Sequence, residues 1–198
     1  DESSGLVTGR ALDDKVGCLV LLETMKQLKE QGTTPPATLI FNAAVQEEVG
    51  LRGARQAGDY IKPDICIGID ATISQAGFGA GVAPMPGTAF SEAANALRGG
   101  PGLSISDIGR TGGLFGHPKV IEFLKGVAEK HQIPYQIEGS MPNITSDAAA
   151  VQFSGAGGPA VTVKIPSRYT HGPVEVASLH DIQGTIELLV RALPLIVP

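Results

Sequence analysis

Apolar runs of strand length that alternate with stretches of helical spacing predict an α/β protein. The expected architecture is a mixed, mostly parallel sheet flanked by helices on both faces. Three runs, 37–45 (ATLIFNAAV), 64–70 (DICIGID) and 160–165 (AVTVKI), are nearly continuous in apolar residues, as strands buried on both faces are. Before, between and after them, 14–31, 117–130 and 179–193 carry apolar residues at helical spacing. Tight-turn residues punctuate the two kinds, and Gly alone accounts for 26 of the 198 residues without any period.

Each element follows in order. The helix at 14–31 ends against Gly32, a suitable residue for the position just past a helix, and Thr33-Thr34-Pro35-Pro36 then breaks the chain. The strand 37–45 leads into a helix at 50–60, and 64–70 forms the next strand. A Gly-rich stretch, 76–116, reads as short strands and loops. His117-Pro118 opens a helix with Pro in its first turn. A short strand at 135–137, a small helix near 146–153, the strand 160–165 and a last helix at 179–193 complete the chain. No linker or low-complexity segment divides it, so residues 1–198 read as one catalytic domain.

Composition narrows the classes of function. A net charge of −5 without any Lys/Arg cluster argues against nucleic acid and anionic membrane partners. No apolar run reaches the roughly 18 residues of a spanning helix. Cys18 and Cys66 lie in apolar segments and read as buried, reduced thiols, which implies a reducing, cytoplasmic location.

Four segments place metal-type ligands at element ends. They are Asp13-Asp14 before the first helix, Glu47-Glu48 after the strand 37–45, Asp70 closing 64–70, and His171 after 160–165. Alone, each has an ordinary structural explanation: a helix N-cap, a solvated acidic pair, a turn residue, a loop histidine. Together they gain weight, because three follow strands, and ligands of open α/β sheets gather beyond the strands' carboxyl ends. Carboxylates crowded there repel, and a divalent ion relieves that repulsion. Carboxylates with imidazole suit zinc, manganese or cobalt. The neighbours Glu47 and Glu48 leave an extended backbone in opposite directions, so one can bind metal while the other acts as general base. That divergence also disfavours a glycosidase, whose two carboxyl groups must flank one bond.

The strings ALDDK, VQEEVGLRGA, GID and IPSRYTHGPVEV, in this order, resemble the glutamyl/deblocking aminopeptidase family of dinuclear zinc exopeptidases, which includes the tetrahedral aminopeptidases. The resemblance extends along essentially the whole chain and implies a zinc-exopeptidase-like, three-layer αβα fold acting on peptide substrates. It implies two divalent metal ions, zinc first, with cobalt or manganese as alternatives. Asp13 would bridge both, Glu48 and His171 would complete one position, and Asp70 would hold the other. Glu47 would be the general base. Asp14 matches the residue after the bridging Asp, where the peptide bond is often unusual, and Asp147 falls in a segment lining the family's site.

The family's opening segment, with a histidine ligand in an HxDE-like context, and its inserted β-domain are not among these residues. His117, His131 and His180 read as helix-end residues that do not replace that ligand. Homo-oligomers are expected for the full-length family. Two further readings stand beside the aminopeptidase: a non-catalytic metal-binding or assembly fragment, and another hydrolase, a deacylase or glycan-active enzyme, on the same scaffold. Arg52, Arg98, Arg110 and Arg168 are candidates for recognising acidic side chains.

Overall fold

Apolar residues recurring every fourth position from Leu12 form one stripe of a helix. In the computed structural model, helix α1 (Leu12–Glu30) buries that stripe through Leu12, Val16, Val20 and Leu28. The structure describes residues 3–74, 95–109, 112–139, 141–142 and 145–197. Gly32 ends α1 as its position predicts: with φ at 64° it donates to the Lys29 carbonyl, and Thr33 donates to Leu28, both at 3.0 Å.

Strand β1 (Leu6–Gly9) precedes α1, and α2 (Arg52–Ile61) follows it. Next come β2 (Cys66–Ile73), β3 (Gly102–Ser104), β4 (Ser106–Gly109), β5 (Gly112–Phe115) and α3 (Pro118–His131). The chain continues through β6 (Gln136–Glu138), β7 (Met141–Pro142), α4 (Asp147–Gln152), β8 (Ala160–Arg168), β9 (Glu175–Ser178) and α5 (Leu179–Ala192).

Strand β8 is the axis of the main sheet. It pairs in parallel with β2 from Ala160 to Ser167, and antiparallel with β3 and β9. Strand β9 extends the sheet to β1, and β3 extends it to β6. A second sheet runs β5-β4-β7. Period-two alternation along β8 sends Val161, Val163 and Ile165 into cores built with α1, α3 and α5. On the opposite face, Cys66 and Ala160 pack with α2 and α4 in a third cluster. The result is the expected mixed sheet with helices on both faces. Among the described residues the ladders of β2–β8 and β3–β6 are parallel, and those of β1–β9, β3–β8 and β8–β9 are antiparallel.

Three expectations need correction. Residues 37–45 join no ladder among the described residues; Leu39 and Phe41 turn inward beside α1, while Ile40 and Val45 are 59% and 68% exposed. An apolar run records strand propensity, but a strand buried on both faces needs hydrogen-bonded neighbours, which sequence composition does not supply. Cys18 is exposed on the outer side of α1 with Leu19 and Leu22, because that helix is apolar beyond its buried stripe. Asp70 lies within β2 and does not close it. Of the stretch 76–116, residues 76–94, 110 and 111 lie outside the described residues.

No helix among the described residues is long and apolar enough to cross a membrane. Leu124 is fully buried between α3 and the sheet, so Leu124→Ala is expected to cost about 2–5 kcal/mol in urea unfolding. The exposed Leu22→Ala should stay within about 0.5 kcal/mol of the parent.

Candidate functional site

Adjacent acids in a helix's first turn are favoured by the unpaired backbone N–H groups there. At the start of α1, Asp13 and Asp14 depart from helical φ/ψ, and the peptide bond between them is cis. Asp14 Oδ1 accepts the Gly17 N–H at 3.0 Å, a local cap on the helix proper. A side chain at position 17 would overlap the Asp14 carboxylate, so glycine at that spacing is required.

The chain then brings distant segments against this turn. His171, in the loop after β8, has its Nε2 3.0 Å from Asp13 Oδ2 and 3.0 Å from Glu48 Oε1. One ligand atom from each of Asp13, Glu48 and His171 lies within 4.8 Å of the others, and the same holds for Asp13, Asp14 and Asp70. Asp13 belongs to both groups. Glu48 is exposed and faces His171, whereas half-buried Glu47 belongs to neither group; the pair lies in a turn rather than on an extended strand. The Glu47 carbonyl accepts the Gly50 and Leu51 N–H groups, fixing the turn into α2.

Glu175 is the residue that sequence reasoning missed. It is buried at the start of β9, and its two oxygens accept the backbone N–H groups of Asp13 and His171, each at 2.8 Å. The only available signal was its place in the string THGPVEV, four residues beyond the histidine.

Burial raises the pKa values of five carboxyl groups here, and neighbouring carboxylates add to the rise at all of them but Asp147. Burial lifts Asp13, and the Glu48 charge adds to it. Burial pushes Asp14 up to about 8 against the Gly17 N–H, with Asp13, Glu47 and Asp147 adding repulsion. Glu47 is raised to about 7 by burial and then by Asp147, Glu48 and Asp13. Asp147, opening α4, is raised to about 6 by burial. Asp70 is held well above the usual carboxylate range by burial, which the Lys164 charge opposes.

His117 caps α3, His131 ends it, and His180 Nδ1 sits 3.6 Å from Asp181. Among the described residues none of them joins a metal-type cluster. The Arg98 guanidinium donates to the Ser4 carbonyl. Arg52 opens α2, Arg168 ends β8, and Arg110 lies outside the described residues.

Fold and site together define an α/β protein whose sheet carries a carboxylate–imidazole cluster of metal-binding character. The model of the M42 glutamyl aminopeptidase family matches residues 2–188, and the chain belongs to that family. A lysyl aminopeptidase of Pyrococcus furiosus is 33% identical over 89% of this chain and 45% of its own length. The structure of aminopeptidase APDkam598 from Desulfurococcus kamchatkensis superposes with a TM-score of 0.81 at 37% identity, over 98% of this chain and 50% of that one. A TET aminopeptidase from a marine-sediment Thaumarchaeota archaeon gives 0.83 at 32% identity, over 97% and 50%. The chain spans about half the length of the curated relatives it matches.

Two outcomes are expected from this geometry. Asp14 and Glu47 have folded-state pKa values near 8 and 7, above their ordinary 3.8 and 4.5, so the folded chain holds their protons more tightly than the unfolded one. Their contribution to stability is complete below about pH 4 and is lost as pH rises through about 7 to 8. The melting midpoint of metal-free protein should therefore fall over that window. Glu175→Gln should destabilise the chain by about 1–3 kcal/mol in urea unfolding, because the amide cannot accept both N–H groups.

Proposed function

We propose that this chain is the metal-dependent catalytic core of an aminopeptidase, releasing N-terminal residues from peptides. The observation that carries the proposal is the convergence of Asp13, Glu48, Asp70 and His171 on two groups that share Asp13. Imidazole with carboxylates suits zinc, cobalt or manganese, and the mutual repulsion of these acids is what a divalent ion would relieve. Asp13, Glu48 and His171 would hold one ion, and Asp13 with Asp70 a second, with Asp14 alongside. Bound divalent ions supply Lewis acidity, polarising the scissile carbonyl and acidifying the attacking water.

Glu47 is the general base of this reading. It stands beside the ligand groups without joining either, where a carboxylate can take a proton from water held between them. It takes a proton from water as the water oxygen bonds to the carbonyl carbon. It then returns the proton to the nitrogen as the C–N bond breaks, leaving a free amino acid and a peptide one residue shorter.

Glu47→Gln tests the assignment. With zinc or cobalt added, hydrolysis of aminoacyl-p-nitroanilides should fall at least about 100-fold while bound metal stays at the parental level. Unchanged turnover would remove Glu47 from the role. Metal binding without turnover in the parent chain would favour a non-catalytic metal-binding core.

A further inference from the structure

Leu51, at the start of α2, and Arg55 and Asp59 within it recur every fourth position and so share one face of the helix. That face looks across a groove of about 160 Å³ toward α4. Leu51, Ala149 and Ala150 are buried along it and give it an apolar floor. Phe153, 70% exposed, stands at its rim. At one end the two helices meet, because a side chain at position 58 would collide with Ser154 Oγ and Gly58 has none. The other end adjoins the candidate site. Leu51 donates its N–H to the Glu47 carbonyl at 2.9 Å, and Thr145, which also lines the groove, is two residues before Asp147.

Two polar groups of this groove lack a partner among the described residues. The Arg55 side chain makes no ion pair or hydrogen bond there, and the enclosed Thr145 Oγ1 has no hydrogen-bond partner. Asp59, one turn beyond Arg55, is engaged elsewhere: its Oδ1 accepts the Gly155 N–H at 3.2 Å. A guanidinium offers paired N–H donors that match a carboxylate, and a hydroxyl can donate to the same group. Sites that take whole small molecules run to about 300–1,000 Å³, so this groove suits a single side chain. An acidic one fits it, with methylenes on the alanine floor and the carboxylate at Arg55.

The position of that side chain in the substrate follows from Glu47. A base that returns its proton to the departing nitrogen stands on the leaving peptide's side of the scissile bond. The groove is walled by the turn that follows Glu47, so the first side chain of the leaving peptide is the one within its reach. We propose that the groove between α2 and α4 is the subsite for the second residue of the peptide, and that Arg55 selects an acidic side chain there. This rests on the reading of the chain as an aminopeptidase with Glu47 as its base. An arginine that only decorates the surface of α2 would leave the choice among peptides untouched.

Three peptides that share an N-terminal leucine and carry glutamate, glutamine or lysine second read this preference as kcat/KM, with zinc or cobalt added. Leucyl-p-nitroanilide, which has no second side chain, is the control. The parent should favour the glutamate peptide over the glutamine one by at least about threefold, with the lysine peptide poorest. Arg55→Met should abolish the advantage of glutamate, and Arg55→Glu should reverse the order in favour of lysine. Turnover of the anilide should stay within about twofold of the parent in both variants. The same order of peptides in the parent and Arg55→Glu would overturn the subsite and leave the aminopeptidase reading intact. An equal fall on all four substrates would also overturn it, since it marks a structural role. A parent that turns over none of them would overturn the aminopeptidase reading and the proposal with it.

Discussion

Glu175 accepts the backbone N–H groups of Asp13, 162 residues earlier, and of His171, joining the first turn of α1 to the loop after β8. Both hydrogen bonds are charge-assisted and partly buried, which makes them stronger than neutral ones and directional. Because they act on backbone, they fix where the two side chains begin and leave those side chains free to face a ligand. The order of the sheet serves the same end. Strand β9 sits between β1, which leads into Asp13, and β8, which leads into His171.

On that frame the site concentrates negative charge. Asp13, Asp14, Glu47, Asp70 and Asp147 all have their protons held more tightly than usual, with burial as the leading cause. Such an arrangement opposes folding unless something compensates it, since each ionised carboxylate adds repulsion in a poorly solvated place. The Lys164 charge opposes this at Asp70 and Glu47, and bound divalent ions would compensate further. Sites that break the rules of a quiet protein interior in this way are where function is expected.

Much of this was legible in the sequence, for physical reasons that differ from residue to residue. Helix α1 could be read because burial follows a four-residue spacing and Gly32 supplies the left-handed turn at its end. Asp13, Glu48 and His171 could be read because their flanking strings resemble those of the family. Segment 37–45 was misread as a buried strand because propensity says nothing of the neighbour a strand must pair with. Glu175 was missed because it touches backbone atoms far away in the chain, and no local pattern announces that. Lys164 sat unremarked in the apolar run AVTVKI, since its ion-pair partner Asp107 lies on β4, far from it in the chain.

The proposed chemistry depends on Asp13 serving two metal positions at once. Elemental analysis after zinc loading and dialysis, on the parent protein and on Asp13→Asn, tests this. Bound zinc in the parent and its loss from both positions in Asp13→Asn are expected. A parent that retains no zinc, or an Asp13→Asn variant that retains as much as the parent, rules out the shared role.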